Sequence, residues 1–239
     1  MNPEQSESTT VIKAAGVGLT YFDGDSRTDA LSDVTLELPR AGFIGVMGPS
    51  GSGKSSLLYV LSGLKRPSRG EINYCGESLV RCPDRRLTRL RRANFGFVFQ
   101  QPWLLGWQTA AENALNGAPV VNTESRQQAS DLFAQLGLEQ LAGKTPSQLS
   151  GGEKQRVCVV RAMMNNPKVI FADEPTASLD HRNGHLVVDI LASYRDKGLV
   201  IVVTHDPEML QGADKVLNMR DGQTTGWTNP VSSRDLGPS

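Results

Sequence analysis

The sequence has little cysteine and no excess of either charge. Its 3 cysteines (Cys75, Cys82 and Cys158) are odd in number and have no histidine at metal-ligand spacing. We therefore predict buried thiols in a reduced compartment, rather than a disulfide framework or a metal site. Lys plus Arg and Asp plus Glu both number 25, so the formal net charge is zero. Nucleic-acid-binding domains are usually basic, and we expect no nucleic-acid partner.

Long apolar runs are also missing. No run approaches the roughly 18–20 residues that a helix needs to cross a bilayer. Residues 1–8 are polar and acidic, unlike a signal peptide. We expect a soluble chain that reaches a membrane only by docking onto a partner. Its 239 residues suit one large compact domain, or a core with one inserted subdomain.

The order of strand and helix patterns predicts a parallel sheet with helices on both faces. Alternating or continuously apolar segments predict strands over residues 11–21, 31–38, 41–47, 70–74, 95–99, 168–172 and 199–203. Helical spacing predicts helices over residues 54–64, 109–115, 123–136, 150–165 and 183–194, with Thr123 as an N-cap. Residues 102–165 are then an inserted helical lobe within a domain over residues 11–224. We predict that residues 1–10 and the Gly-, Thr-, Ser- and Pro-rich residues 225–239 are mobile.

Residues 48–55 read GPSGSGKS, a G-x-x-x-x-G-K-[ST] loop between an apolar strand and an amphipathic helix. Glycines let backbone N–H groups wrap phosphates, and a helix N-terminus adds about half a positive charge. In such a loop Lys54 would reach the β- and γ-phosphates and Ser55 would bind Mg²⁺. The loop therefore predicts a nucleotide site.

Polar residues end three of the other predicted strands. Asp173 and Glu174 follow a buried strand, where doubly wound folds place their ligands. Asp173 would hold Mg²⁺ and Glu174 would polarise an attacking water; a solvated loop is the alternative. Gln100 and His205 end two further strands, where a sensor of the γ-phosphate would stand, although a loop glutamine and a satisfied histidine are alternatives. His181 and His185 have no such context, and we predict that both are surface residues.

The segment Leu149-Ser150-Gly151-Gly152-Glu153 has two interpretations. Ser150 and Glu153 have the spacing of a capping box, the ordinary start of a helix. Two adjacent glycines are costly in a helix, but they would let an anion approach bare backbone N–H groups. The segment therefore predicts either a helix cap alone or a second phosphate site.

Six motifs stand in the order typical of one family: GPSGSGKSS at 48–56, FVFQQP at 97–102, LSGGEKQR at 149–156, VIFADEP at 169–175, ASLD at 177–180 and VTHD at 203–206. With them, residues 11–224 resemble the ATP-binding subunit of ABC (ATP-binding cassette) transporters. The resemblance implies an α/β fold: a P-loop NTPase (RecA-like) core with an antiparallel β subdomain and an inserted α-helical subdomain. It also implies ATP and Mg²⁺ as cofactors.

The resemblance assigns roles residue by residue. The catalytic residues would be Glu174, His205 and Gln100. Mg²⁺ would be held by Ser55, Gln100 and Asp173. Nucleotide would be bound by Tyr21 (stacked on adenine), Gly48, Pro49, Ser50, Gly51, Ser52, Gly53, Lys54, Ser55 and Ser56. Ser150, Gly151 and Gly152 would bind the γ-phosphate held by a second subunit, and Asp180 would act across the same interface. The chain departs from the family at Glu153, where many members have glutamine.

Within the family, the run over residues 91–100 and the glutamate at 153 resemble lipoprotein-releasing and macrolide-export systems. Trp103 and Trp107 stand where relatives usually have smaller residues; they either pack in the core or anchor a membrane subunit. A cluster of arginines predicts a solvated helix face, or alternatively attraction to anionic lipid headgroups. Its members are Arg81, Arg85, Arg86, Arg89, Arg91 and Arg92.

The resemblance implies an ATPase that closes as a homodimer over two Mg-ATP and powers a separately encoded membrane permease in export or extraction. Such a subunit would be cytoplasmic and peripheral on the inner face of the membrane. One alternative is a regulator that acts through a membrane partner without transport. A soluble ABC ATPase of DNA repair or translation is a second alternative, although the chain lacks a long heptad segment and a second cassette.

Overall fold

The computed structural model describes residues 10–24, 26–177 and 179–230. Its centre is a six-stranded sheet in the order β10-β9-β3-β8-β7-β6. The strands β9, β3, β8, β7 and β6 are parallel, and β10 is antiparallel at the edge. The bounds are β3 Gly42–Met47, β6 Phe95–Val98, β7 Val169–Asp173, β8 Leu199–Thr204, β9 Lys215–Arg220 and β10 Gln223–Thr228. The predicted parallel sheet is confirmed.

A second sheet is antiparallel and has four strands in the order β2-β1-β4-β5. Its two long strands form a hairpin, and its bounds are β1 Thr10–Asp23, β2 Ser26–Pro39, β4 Arg69–Tyr74 and β5 Glu77–Ser78. Helix α1 (Lys54–Leu61) buries its apolar residues in the same cluster as this sheet. The predicted antiparallel subdomain is thus present.

The remaining helices are α2 Asp84–Asn94, α3 Ala110–Leu115, α4 Thr123–Gln135, α5 Gly151–Met163 and α6 His181–Ser193. Helices α3, α4 and α5 lie between β6 and β7 in the chain, as predicted for the inserted block. Their apolar side chains belong to one cluster with the parallel sheet. None of the helices in the described ranges is long and apolar enough to span a membrane.

The central parallel strands β3, β7 and β8 are almost entirely apolar because both of their faces are buried, and their polar residues, Asp173 and Thr204, stand at carboxyl ends. On β8, Val200 and Val202 face the cluster formed with the inserted helices. Leu199, Ile201 and Val203 face the cluster formed with α1 and the antiparallel sheet. This double burial holds the carboxyl ends of β3, β7 and β8 in register at one edge of the sheet.

Several predicted details differ from the structure. Asn122, not Thr123, is the N-cap of α4, because its side chain accepts the N–H of Ser125 in a capping box. The predicted tail begins too early, since residues 225–228 belong to β10, and Thr10 already lies in β1. Residues 1–9 and 231–239 of the two predicted mobile ends lie outside the described residues. Cys82 and Cys158 are buried as predicted, but Cys75 is exposed.

Candidate functional site

A cleft of ≈ 720 Å³ lies at the carboxyl edge of the parallel sheet. It gathers the loop that follows β3 and the residues that follow β6, β7 and β8. Of the predicted site residues, those lining it are Pro49, Ser50, Gly51, Gly53, Lys54, Ser55, Ser56, Gln100, Glu174 and His205; Thr28, Asp29 and Ala30 from β2 complete the wall. The structure therefore brings the predicted phosphate loop and the predicted catalytic side chains to one place.

Two glycines of the loop are required by close approach to neighbouring backbone. A Cβ at Gly48 would lie 2.3 Å from the carbonyl oxygen of Met219. Gly53 has a φ of +94°, and its Cβ would lie 2.4 Å from the carbonyl oxygen of Ala30. A side chain at either position would push the loop away from the sheets. The glycine pattern is thus explained by packing as well as by access to phosphate.

The loop is also tied to a distant part of the chain. The carbonyl of Ser52 accepts the N–H of Gly222 at 3.1 Å, in the turn between β9 and β10. The carbonyl of Gly222 in turn accepts the N–H of Ser32 on β2 at 2.8 Å. Both sheets therefore share in shaping the loop, and neither contact is visible in the sequence motif.

The donors of the loop fit an anion. Lys54 is almost fully buried, and its ammonium donates to the carbonyls of Gly48 at 2.8 Å and Pro49 at 3.0 Å. An ammonium has three hydrogens, so one donor remains for a ligand. The hydroxyl of Ser52 is buried and has no hydrogen-bond partner among the described residues. Together with the N-terminus of α1, these groups suit a phosphate.

Asp173 ends β7 and is held by two hydroxyls of α1. Ser55 Oγ donates to Asp173 Oδ1 at 2.8 Å, and Tyr59 Oη donates to Oδ2 at 2.9 Å. Burial raises the pKa of Asp173, while these two hydrogen bonds act to lower it. Burial, together with the charge of Asp173, raises the pKa of Tyr59 to about 12. Asp173 is thus placed beside the loop with oxygen donors suited to a hard cation.

Tyr59 is a site residue that the sequence reasoning missed. It stands four residues after Ser55 on α1, and residues at this spacing share one face of a helix. The spacing alone could have raised the question, but only the position of β7 shows that both hydroxyls meet Asp173.

Glu174 and His205 form a hydrogen-bonded pair. His205 Nδ1 lies 2.9 Å from Glu174 Oε1; the Glu174 side chain is 13 % exposed and that of His205 is 70 % exposed. An ionised carboxylate can only accept, so the bonded hydrogen belongs to Nδ1, and Nε2 stays available to another partner. Glu174 has a φ of +46°, and its N–H donates to Val203 O at 2.8 Å. Such backbone strain in a non-glycine residue is frequent at functional sites.

Gln100 is exposed in the loop after β6 and lines the cleft. The preceding carbonyl, that of Phe99, accepts the side-chain amide of the buried Gln155 at 2.8 Å. This bond from α5 fixes the point at which the chain leaves the sheet. Helix α5 therefore positions Gln100 without contacting the cleft itself.

Tyr21 lies beside the cleft rather than among its lining residues. Its hydroxyl is 3.4 Å from Ser56 Oγ, and the ammonium of Lys65 lies 3.9 Å from its ring centroid. The half-buried ring is thus held next to the phosphate loop by the first turn of α1 and by the chain that follows this helix.

The segment of residues 149–153 leads into α5, with Ser150 as the N-cap of the helix and Gly151 and Gly152 in its first turn. Both bonds of the predicted capping box are present: Glu153 N donates to Ser150 Oγ at 3.3 Å, and Ser150 N donates to Glu153 Oε2 at 2.7 Å. The backbone N–H of Ser150 lowers the pKa of Glu153. Glu153, whose role the sequence left open, is therefore part of the helix cap.

Asp180 is the N-cap of α6 and accepts the backbone N–H of Asn183 at 2.9 Å. That bond holds the pKa of Asp180 below its ordinary value. Neither Asp180 nor residues 150–152 line the cleft of their own chain. Ser178, from the same predicted motif as Asp180, lies outside the described residues.

The two questioned tryptophans are on the surface. Trp103 is 67 % exposed and Trp107 is 79 % exposed, so core packing does not account for either. The loop that carries them is held by the buried Asn113, whose side chain accepts the N–H of Leu105 at 2.7 Å and donates to Leu105 O at 3.1 Å.

The predicted arginine cluster lies on and just before α2. Arg86 pairs with Glu77, and Leu87 is the one buried side chain of the helix. Four arginines of the cluster are exposed on this helix, as predicted: Arg85, Arg86, Arg89 and Arg92. Arg81 is exposed but precedes the helix, and Arg91 is half-buried and donates to Gly63 O at 2.5 Å.

Comparison with known proteins gives a consistent result. The profile of the family described as ABC transporter matches residues 31–177, more than half of the chain. An uncharacterised ABC transporter ATP-binding protein of Methanocaldococcus jannaschii is 39% identical over 219 residues, which are 89% of this chain and 97% of that protein. The macrolide export ATP-binding/permease protein MacB of Bradyrhizobium diazoefficiens is 41% identical over 206 residues. That match takes in 84% of this chain but 32% of MacB, so this chain spans about a third of such relatives.

Solved structures show the same fold. A dimeric post-hydrolysis state of the ATP-binding cassette MJ0796, bound to ADP and Pi, is similar with a TM-score of 0.85 and 34% identity. The similarity covers 92% of this chain and 99% of that one. From its cleft, its fold and these matches, the chain belongs to the ABC transporter family as an ATP-binding cassette, an ATPase.

Proposed function

We propose that two copies of this chain close over two Mg-ATP, and that hydrolysis reopens them and drives a separate membrane permease. The observation that carries the proposal is the Glu174–His205 pair, which stands across one cleft from the phosphate loop. A positioned carboxylate beside a triphosphate site is the arrangement needed to activate a water molecule.

Residues 48–56 would hold the phosphates through Lys54 and through the backbone N–H groups of every residue except Pro49, which has none. Tyr21 beside them would stack on adenine. Ser55, Asp173 and Gln100 would hold Mg²⁺, which supplies charge neutralisation at the phosphates when bound. The hydroxyl and carboxylate already meet at 2.8 Å, and oxygen ligands are those that this ion prefers.

Glu174 would take a proton from the attacking water. His205 would orient that carboxylate through Nδ1, and its Nε2 would face the γ-phosphate. Burial supports this role for Glu174, because a carboxylate that is largely removed from solvent interacts more strongly with its neighbours.

The proposed homodimer accounts for residues that stand away from the cleft. The N-terminus of α5, formed by Ser150, Gly151 and Gly152, does not line the cleft of its own chain. In a dimer they would meet the γ-phosphate of the other copy, with Asp180 nearby. A contact supplied by a second subunit can accelerate phosphoryl transfer by about 10³–10⁵ in other enzymes with phosphate loops. The MJ0796 cassette, similar over 92% of this chain, was solved as a dimer.

The proposed permease would dock at Trp103 and Trp107. Exposed aromatic side chains are costly in water and are enriched at the energetic centres of interfaces. MacB relatives are named as ATP-binding/permease proteins, and the matched part is about a third of their length. We infer that this chain acts with a permease in export or extraction, and that it sits at the inner face of the membrane through that partner.

The direct test is Glu174→Gln, with Glu139→Gln as an exposed control outside the cleft. We expect Glu174→Gln to bind ATP, to lose nearly all turnover, and to accumulate as a dimer in size-exclusion chromatography with Mg-ATP. The control should keep turnover unchanged. Wild-type hydrolysis by Glu174→Gln would remove this carboxylate from the mechanism.

The docking surface is tested separately. Trp103→Ala combined with Trp107→Ala should abolish co-purification with a co-expressed permease that binds the parent chain, and should abolish the stimulation of ATP turnover by that permease, while basal turnover stays unchanged. Trp227→Ala, on β10, is the matched control. Unchanged co-purification by the double variant would refute the surface.

A further inference from the structure

Three metal-ligating side chains meet outside the cleft. His181 and His185 stand four residues apart on α6, and Glu208 lies in the single-turn helix Pro207–Leu210 after β8. His181 Nε2 is 2.6 Å from Glu208 Oε2 and 3.2 Å from His185 Nε2. One ligand atom from each residue lies within 4.8 Å of the other two. The sequence predicted surface positions for both histidines and did not connect them with Glu208.

One hydrogen cannot form good hydrogen bonds among all three of these atoms. Each imidazole Nε2 has one in-plane direction, used either by a hydrogen or by a lone pair. If His181 Nε2 donates to the carboxylate, His185 Nε2 can only share that same hydrogen as an acceptor. Two ring nitrogens and a carboxylate oxygen thus converge where one cation could replace one proton.

The separations suit a small metal ion. Tetrahedral zinc has Zn–N distances of about 2.0–2.1 Å, which place neighbouring ligand atoms about 3.4 Å apart. The two ring nitrogens are already at 3.2 Å. The carboxylate would have to move outward by about 0.8 Å from its hydrogen-bonding distance, and at a half-exposed side chain such a move is a change of rotamer rather than of backbone.

The two elements that carry the ligands are held against each other. A Cβ at Gly184, between the two histidines, would lie 3.5 Å from Met209 Sδ, so α6 packs directly on the turn that carries Glu208. Glu208 N donates to the side chain of Asp206 at 2.9 Å, which fixes the start of that turn. The ligands are therefore presented by packed backbone on both sides.

We propose that His181, His185 and Glu208 form a site for a divalent transition-metal ion, and we choose Zn²⁺ as the ion to test because catalytic zinc sites are built from two histidines and a glutamate. The ion would join the first turn of α6 to the segment that follows His205. Three protein ligands and an exposed His181 leave the fourth position to solvent, so the site is an exchangeable one.

The position of the site suggests what the ion regulates, a step that rests on the proposed function. His181 directly follows Asp180, and Glu208 is three residues beyond His205. A bound ion would fix these two segments relative to each other. In the proposed cycle, the segments that carry Asp180 and His205 must engage the nucleotide when the dimer closes and release it when the dimer opens. A bound ion that restrains both segments would therefore slow ATP turnover.

The binding test uses the full chain without an affinity tag, in a Cys75→Ser background that removes the exposed thiol. Metal-free protein without nucleotide is titrated with Co²⁺, followed by visible absorption, and Co²⁺ is then displaced with Zn²⁺. We expect one ion per chain, and a loss of affinity of at least about tenfold in His185→Ala and in Glu208→Gln. His205→Ala, which removes the third histidine of the chain, and Glu139→Gln should bind as the parent does.

The thermal unfolding midpoint of every variant is measured first, to verify that the variant is folded. Equal Zn²⁺ affinity in the parent and in His185→Ala and Glu208→Gln overturns the site, as does the absence of binding in the parent. ATP turnover is then measured in excess Mg²⁺ with and without Zn²⁺. Slowing in the parent that is lost in His185→Ala supports the regulatory step, and equal slowing in both overturns it. A parent without any turnover contradicts the proposed function and leaves the binding result standing.

Discussion

Replacement of Tyr59 by phenylalanine isolates the hydrogen bond that supports Asp173 from the side of α1. The change removes only the hydroxyl, which donates to Asp173 Oδ2 at 2.9 Å. A hydrogen bond to a charged group contributes about 1.5–3 kcal/mol to stability. For a chain of this size, each kcal/mol of lost unfolding free energy lowers Tm by about 2–4 °C, so we expect Tyr59→Phe to lower Tm by about 3–12 °C.

The same change has a defined pH dependence. Burial raises the pKa of Asp173 above its ordinary value of 3.8. A carboxyl group with a raised folded-state pKa favours the folded state at low pH, and this contribution is lost as pH rises through the folded-state pKa. Tyr59→Phe removes a donor to the ionised form and raises that pKa further. Its cost is therefore small below pH 3.8 and grows as pH rises through the folded-state pKa.

The assay is a double-mutant cycle by urea unfolding at neutral pH without nucleotide. Tyr59→Phe is measured alone and with Asp173→Asn, and the two effects should be non-additive by about 1.5–3 kcal/mol. Tyr194→Phe is the control, because its hydroxyl donates to the neutral carbonyl of Pro167 at 3.0 Å. Its cost should be the same in both backgrounds. If Tyr59→Phe also costs the same in both, the reasoning about Asp173 is refuted.

Two further positions give predictions of other kinds. Glu153→Ala should lower the unfolding free energy by about 0.5–1.5 kcal/mol through loss of the bond from Ser150 N, while Glu153→Gln, which keeps an acceptor oxygen, stays near the parent. Because the pKa of Glu153 is lowered from 4.5, its ionised carboxylate stabilises the folded state above that pH, and this stabilisation is lost as pH falls through the folded-state pKa. Urea unfolding of the unsubstituted chain and of Glu153→Gln across this pH range should show the loss only in the unsubstituted chain. Gly48→Ala should cost about 1–3 kcal/mol because its Cβ meets Met219 O, whereas Gly143→Ala, with open space around it, should cost far less; a comparable loss at both positions would contradict the packing argument.

The core of the fold was predictable because its signal is local. Segments such as residues 199–203 are apolar at every position, a pattern typical of a strand that is buried on both faces. The phosphate loop was equally clear, since its glycines, Lys54 and Ser55 are adjacent in sequence. The capping box at Ser150 and Glu153 was correct for the same reason, as its two partners are three residues apart.

Features that depend on distant partners were missed or misplaced. Strand β10 contains Gly226 and polar threonines and reads as a loose tail, yet it is paired along β9. The trio of His181, His185 and Glu208 is invisible without the fold, because its third member lies 27 positions from the first. Trp103 and Trp107 could be either buried or exposed, since their sequence environment does not say which side of the loop faces the helices.

The hydrogen bonds that join Ser52 to Gly222, and Gly222 to Ser32, also bear on the order in which the chain folds. They connect a loop near the beginning of the chain to a turn near its end, and such non-local contacts form late because a long segment must first be closed. We therefore expect the phosphate loop to gain its final shape only after the β9–β10 turn has docked. A nascent chain that has not yet emerged past Gly222 holds every residue of the loop but lacks these two hydrogen bonds, and we expect it to bind nucleotide more weakly than the full chain.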